Sequence, residues 1–194
     1  MDKILDICER LLAFIFIILS LPLFIVVLVA VSLDLKTTPI FKQLRMGKNS
    51  EPFIIYKFRT LKPNSPQIPT YEILDYSEYC TKLGLFLRVS SLDEIPQLWN
   101  IVKGEMSFVG PRPVMLDELE LNSRRTELGI YNIKPGITGW SQINGRDMLD
   151  IERKIQYDLE YLNNKSILFD VKIILLTLIK VLKRENVKNK CKKM

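Results

Sequence analysis

The residues best suited to chemistry sit close together in the middle of the chain. Ser90–Asn100 reads SSLDEIPQLWN, and SFVGPRP follows at Ser107–Pro113. Asp93 and Glu94 are adjacent acids at what reads as the start of a helix. A carboxylate can attack phosphorus as a covalent nucleophile, as in aspartyl-phosphate enzymes. A second can hold Mg²⁺, a hard ion that takes one or two carboxylates plus substrate phosphate. Arg112, flanked by Pro111 and Pro113 after Gly110, offers a planar fork from a stiff loop, a shape that suits phosphate. Each feature also has a plain structural explanation. Ser91 and Glu94 have the spacing of a capping box, and spacing alone favours that reading. Pro96 counts against it, because it would then fall at the fifth helical position, where its missing N–H breaks a bond the helix needs. Arg112 reads equally well as a solvated arginine in a tight turn.

Composition narrows the chemistry further. The 194 residues contain no histidine, which excludes Ser-His-Asp and Cys-His catalysis and the histidine-rich zinc sites. The three cysteines, Cys8, Cys80 and Cys191, are widely spaced and odd in number, so a reducing compartment without a disulfide framework is expected. The chain carries 28 basic and 22 acidic residues, a formal +6. Seven basic residues from Lys180 onward against Glu185 account for that whole excess. Such a tail suits anionic lipid or nucleic acid, or simply keeps the end soluble.

The elements that must position these residues begin with Leu11–Leu33, 23 residues in which only Ser20, Pro22 and Ser32 are not plainly apolar. As a helix this run would be ~34 Å long, enough for a bilayer core, and too long for a signal-peptide core. Membrane association is therefore expected. Pro22, after Leu21, marks a bend near its middle. The residues alone leave open a kinked span or a helix that bends at Leu21-Pro22 and returns to the same face. Lys36, Lys42, Arg45 and Lys48 follow the run, and positive-inside counting places the bulk of the chain in the cytoplasm either way.

Beyond the anchor, Glu51–Leu61 reads as a strand with Ile54, Tyr56 and Phe58 on one face and Lys57 and Arg59 toward the other. A short helical pattern is expected near Ser77–Leu87, a helix over Val114–Leu128 opened by Pro113 and stopped by Gly129, and a loop over Lys134–Arg146. A further helix has Ile151, Ile155, Leu159 and Leu162 as its buried stripe. The last, about Leu168–Arg184, is apolar over most of its circumference and reads as an interfacial helix with snorkelling lysines. The class is α+β, mostly helical, with a short β element. Residues 1–36 are expected to form the membrane-associated helix, 37–185 one domain that holds the candidate reactive residues, and 186–194 a basic tail.

Taken together, these blocks resemble the bacterial sugar transferases, specifically the small monotopic phosphoglycosyl transferases that begin polyprenol-linked glycan assembly. The likeness rests on the apolar segment with its central proline, QLRMG at Gln43–Gly47, YKFRT at Tyr56–Thr60, FLRVSSLDEIPQLWNIVKGEMSFVGPRP at Phe86–Pro113, KPGITGWSQINGR from Lys134, and YDLEYLNNKSILFDVKIILLT from Tyr157. Several long blocks in fixed order are far more specific than one short motif. The resemblance implies transfer of a sugar 1-phosphate from a UDP-sugar to undecaprenyl phosphate, with UMP released. It implies Asp93 as covalent nucleophile, Glu94 beside it and Mg²⁺ as cofactor, held by the same two acids. It further implies phosphate or substrate contacts from Arg112, Arg146, Lys57, Arg59 and Arg88, with supporting roles for Asp158 and Asp170. Members of this size hold the apolar helix as a re-entrant hairpin at the cytoplasmic face of the bacterial plasma membrane. Downstream glycosyltransferases are natural partners, and nucleic acid is not expected. Leu21 stands where serine often precedes the bending proline, Lys134 where the family usually has arginine, and Val89 where a basic residue is common; the last two bear on substrate fit. The rival readings are a non-catalytic membrane-anchored scaffold, a nucleic-acid binder using the tail, and a different phosphotransferase using the same Asp93.

Overall fold

The computed structural model describes residues 2–65, 79–145 and 149–183. Helix α1 runs from Asp2 to Leu35 with Pro22 inside it. One residue before Leu21, the Ser20 hydroxyl donates to the Ile17 carbonyl at 3.3 Å, a supplementary bond in the turn that the proline interrupts. The helix is long and apolar enough to cross a membrane by length and composition. Most of its large side chains, among them Ile15, Leu19, Val26 and Leu33, are exposed.

One face of α1 is nonetheless buried against the rest of the chain. Ala13 packs with Phe53, Ile101 and Met106, while Val27, Val31 and Leu35 pack with Phe58 and Leu87. Phe16 meets Phe108 edge to face at 5.9 Å, and Phe24 lies 4.9 Å from Phe58. Polar bonds fasten both ends. Near the N-terminus Lys134 pairs with Asp6, and the Ser107 hydroxyl donates to Glu9 at 2.6 Å. At the C-terminus Thr81 donates to Asp34 and also caps helix α2 (Lys82–Val89) by accepting the Gly84 N–H.

Strands β1 (Ile40–Met46) and β2 (Pro52–Phe58) form an antiparallel hairpin with Lys42 opposite Tyr56 and Leu44 opposite Ile54. Both faces of β2 bury side chains: Phe58 packs on α1, and the face expected to be polar carries Lys57 inward. Phe53 and Ile55 are buried beside it, whereas Ile54 is exposed. Helix α3 (Leu98–Lys103) is pinned to β2 by Asn100, which is fully buried. Its amide donates to the Ile54 carbonyl at 2.7 Å and accepts the Tyr56 N–H at 3.2 Å, imitating the pairing of one more strand.

Strand β3 (Ser107–Val109) pairs in parallel with β4 (Gly136–Thr138). The Lys134–Arg146 stretch is therefore not simply a loop: it supplies β4 and the short helix α5 (Trp140–Ile143). Its glycines serve close approach. A Cβ on Gly136 would lie 2.1 Å from the Gly110 nitrogen, and one on Gly110 2.4 Å from the Lys134 carbonyl oxygen. The helix expected over Val114–Leu128 is shorter, α4 spanning Leu119–Glu127. Residues before it turn instead, because Asn122 and Glu118 bond back to the backbone of Met115. Gly129, at φ +69°, does stop the helix.

Helix α6 (Ile151–Asn164) is capped by Asp150 and turns Ile151, Ile155, Leu159 and Leu162 toward Val114, Leu121 and Ile130. Helix α7 (Ile167–Lys183) matches its expected extent closely. The fold is thus mostly helical with short strands; the basic tail and the Ser77 end of the helix expected before Leu87 lie outside the described residues.

Candidate active site

The segment that joins α2 to α3, Leu92–Gln97, is a 3-10 helix. The capping-box reading fails here. Ser91 sits in the left-handed region at φ +58°, and its side chain makes no cap bond. The tighter 3-10 winding also accommodates Pro96, with the Glu94 N–H bonded to the Ser91 carbonyl at 3.2 Å. Asp93 and Glu94 are accordingly not helix-end ornaments: they are 8% and 7% exposed. Buried carboxylates need cationic or hydrogen-bonding partners.

Glu94 has two such partners. Lys57 Nζ lies 3.1 Å from Glu94 Oε1, and Arg112 Nη1 lies 3.5 Å from the same oxygen. Lys57 arrives from β2, its side chain only 17% exposed. Burial pushes its ammonium down from 10.5 to about 8; attraction by Glu94 and Asp93 opposes this, and repulsion by Arg112 and Arg45 adds to it. Arg45, in β1, bonds Gln43 at 2.6 Å and faces Glu118 at 3.9 Å. Lys57 and Arg112 thus share one locus with Asp93 and Glu94, with the Arg45–Glu118 pair beside them, and such clustered cations suit phosphate chemistry.

The loop bearing Arg112 is held from behind. Arg125 of α4 donates to the Arg112 carbonyl at 2.8 Å and pairs with Asp158 at 2.5 Å. The other Asp158 oxygen accepts the Ser141 hydroxyl of α5 at 2.9 Å. Arg125 and Asp158 are each 1% exposed. Asp158 therefore supports the site from the interior. Asp170, half-buried in the first turn of α7, anchors that helix instead: its Oδ1 accepts the Tyr161 hydroxyl at 2.8 Å, and that hydroxyl also lies 3.2 Å from the Val109 carbonyl of β3. Burial raises the Asp170 carboxyl above its usual 3.8 and raises the Tyr161 phenol.

The structure thus brings Asp93, Glu94, Lys57 and Arg112 together. Arg59 goes elsewhere, donating to the Thr38 carbonyl at 2.9 Å and lying over the Phe41 ring at 5.6 Å. Arg88, in the last turn of α2, reaches the Thr60 hydroxyl at 3.5 Å. Arg146 lies outside the described residues. Sequence reasoning missed Arg125 and gave Arg45 no role, although Arg125 follows Leu121 by four residues and so shares its helix face.

Beside Glu94 and Arg112 opens a cleft of about 290 Å³, walled by Phe108, Thr138, Gln142 and Lys180 among others. Gln142 Oε1 is buried there with no partner among the described residues. Paired buried acids, a phosphate-shaped arginine and an open cleft meet in one place, and the sequence matches the bacterial sugar transferase family model over residues 1–184. The chain belongs to the bacterial sugar transferase family. It is 41% identical over 157 residues to the uncharacterized sugar transferase EpsL of Bacillus subtilis strain 168, covering 81% of this chain and 76% of that one. It is 38% identical over 176 residues to a UDP-glucose:undecaprenyl-phosphate glucose-1-phosphate transferase of Escherichia coli K12, covering 87% of this chain and 38% of the relative. A galactosyl transferase, CpsE of Streptococcus agalactiae, is 40% identical over 152 residues, covering 72% of this chain and 33% of that one. The transferase therefore spans most of the first relative and a third or more of the two longer ones.

Proposed function

We propose that this transferase moves a sugar 1-phosphate from a UDP-sugar to undecaprenyl phosphate, with Asp93 as covalent carrier. The observation that carries the reading is the buried Asp93-Glu94 pair, with Glu94 held by Lys57 and Arg112 and lining the cleft together with Arg112. An Asp93 oxygen attacks the β-phosphorus of the UDP-sugar, the bond from that phosphorus to the bridging oxygen breaks, and UMP leaves. The sugar phosphate then rests on Asp93 as an acyl phosphate. An oxygen of the lipid phosphate attacks the same phosphorus, and the carboxylate departs to give a polyprenyl-diphosphate sugar. Lys57 and Arg112 offset the charge that gathers on the phosphoryl oxygens, so no imidazole is needed.

Asp93 and Glu94 also suit Mg²⁺. They are adjacent hard-oxygen donors, and this ion takes one or two carboxylates together with water and substrate phosphate. When bound there, the ion supplies neutralising charge to the diphosphate.

The membrane seating we favour is re-entrant. What supports it is that Glu9 and Asp34 both bond to the same domain, through Ser107 and Thr81. Twenty-five residues separate them, ~38 Å of helix at ~1.5 Å per residue, more than the ~30 Å bilayer core. A straight crossing would drag that domain through the hydrocarbon. A helix bent at Leu21-Pro22 with both ends at the cytoplasmic face leaves it in water, with the exposed apolar sides of α1 and α7 in lipid.

The test is UMP release by the detergent-purified protein with Mg²⁺, undecaprenyl phosphate and a panel of UDP-sugars. Turnover that requires the lipid and disappears in Asp93→Asn is the expected result. Lipid-independent hydrolysis alone, or silence across the panel with no sugar-phosphate adduct, would refute the reading.

A further inference from the structure

The cleft has a basic group that the reaction scheme above does not use. Lys180 lines the same cleft as Glu94 and Arg112, yet it comes from α7 rather than from the Asp93 neighbourhood. The two faces of α7 differ sharply. Leu168, Val171, Leu175, Leu178 and Leu182 recur at helical spacing and are all exposed, forming a stripe fit for lipid. Thr177, Lys180 and Val181 lie on the opposite side and line the cleft. The helix therefore separates a lipid-facing surface from the catalytic cavity by its own width.

Lys180 is fixed in that position. The Thr138 hydroxyl donates to Thr177 Oγ1 at 2.7 Å, and the Thr177 hydroxyl in turn donates to the Ile173 carbonyl, also at 2.7 Å, tying α7 to β4 one turn before Lys180. The Lys180 ammonium donates to the Ile143 carbonyl of α5. An ammonium has three donors, and among the described residues no carboxylate pairs with this one. Among the described residues, two of its donors thus remain for a ligand. The surrounding wall is mainly apolar, with Ile95, Leu98, Phe108, Ile137 and Val181. An anion with a hydrocarbon chain fits such a wall, with Ser91, Thr138, Gln142 and Thr177 as its neutral polar members.

We propose that Lys180 binds the phosphate of the lipid acceptor, holding it in the cleft while its chain runs along the apolar wall toward the lipid-facing side of α7. This rests on the transferase reading for the identity of the acceptor. The contact is a charge-assisted hydrogen bond, whose loss weakens binding by roughly tenfold or more.

The experiment compares wild type, Lys180→Gln, Lys180→Met and Lys180→Arg, all as the full chain in detergent, and reads binding directly by native mass spectrometry, so that it needs no turnover. The probes are undecaprenyl phosphate, undecaprenol and UMP. Undecaprenyl phosphate should weaken by roughly tenfold or more in Lys180→Gln and Lys180→Met. Lys180→Arg should keep most of the affinity, and undecaprenol and UMP should bind as in wild type. In turnover the same two neutral variants should raise KM for the lipid while leaving KM for the UDP-sugar in place. Unchanged lipid-phosphate binding would overturn the proposal. So would equal weakening of undecaprenol, which would make Lys180 a packing residue, or selective weakening of UMP, which would put it on the nucleotide side. Matching melting temperatures guard against misfolding; should Lys180→Gln not fold, Lys180→Arg and Lys180→Met carry the comparison. Failure of the transferase reading has a separate signature: wild-type protein that binds the lipid phosphate through Lys180 but never releases UMP.

Discussion

Arg125 Nη1 donates to the carbonyl oxygen of Arg112 at 2.8 Å, so one buried arginine fixes the backbone of another that faces Glu94. The pairing of Arg125 with Asp158 makes this possible, since a guanidinium 1% exposed requires a counter-charge. Arg125→Met leaves Asp158 buried without its partner. The expected cost is ~3–5 kcal/mol, on the order of 10 °C in melting temperature for a chain of this size. Thermal unfolding in detergent measures it, and a loss under ~1 kcal/mol would show that Asp158 is solvated or paired otherwise.

Lys57 carries a pH signature. Its folded pKa, about 8, lies below the ordinary 10.5, so the folded state sheds this proton first. Two consequences follow, of opposite sign. Stability rises with pH between about 8 and 10.5, because there the unfolded chain binds more protons. Activity falls over the same rise, because a neutral Lys57 no longer offsets phosphate charge. The basic limb of kcat/KM for the UDP-sugar should therefore sit near pH 8, and Lys57→Arg should move it upward. A flat profile through pH 9 in the wild type would contradict the role given to Lys57.

Asp170 and Tyr161 should respond differently to removal. The raised Asp170 carboxyl stabilises the fold while protonated, and that contribution is lost as pH climbs above the ordinary 3.8. Asp170→Asn keeps an acceptor for the Tyr161 hydroxyl and removes the titration, so the variant should be as stable as wild type at pH 7 or slightly more so. Tyr161→Phe strips a donor from the half-buried Asp170 carboxyl and the buried Val109 carbonyl and should cost about 1–3 kcal/mol. Chemical denaturation of both variants separates the two; the reverse order would mean that Asp170 is held by charge rather than by the phenol.

The β3–β4 crossing tolerates no side chain. Gly136→Ala places a methyl carbon 2.1 Å from the Gly110 nitrogen, and Gly110→Ala one 2.4 Å from the Lys134 carbonyl. Backbone must move in either case, at a cost of about 1–3 kcal/mol or more. Because Arg112 follows Gly110 by two residues, Gly110→Ala should lower activity by more than its stability loss explains. Full activity at a temperature where the variant remains folded would show that the loop adjusts independently of the strands.

How much of this was legible beforehand depended on whether the signal was local. Helices α6 and α7 were readable because their apolar residues recur at helical spacing, and α1 because of its long apolar run. The Lys134–Arg146 stretch was misread as loop because its glycines look like turn residues alone; only the approach of β3 makes β4 a strand. Ser91 and Glu94 matched a capping box in spacing, but that box needs a helical turn, and the left-handed Ser91 starts a 3-10 segment instead. Asp93, Glu94 and Arg112 could be singled out as reactive types. Their meeting with Lys57 depends on Asn100 fastening α3 to β2, a long-range bond no periodicity announces. Arg125 was missed for a related reason: a charged residue on an apolar helix face reads as solvated until its buried partner is known.

The central claim, that Asp93 carries the sugar phosphate, has a direct measurement. The purified protein is incubated with the UDP-sugar that supports turnover, without lipid acceptor, and its intact mass is recorded beside that of Asp93→Asn. The account predicts a mass gain equal to one sugar phosphate in the wild type, discharged on adding undecaprenyl phosphate and absent in the variant. Sustained lipid-dependent UMP release by Asp93→Asn, or an adduct that maps to another residue, would contradict it.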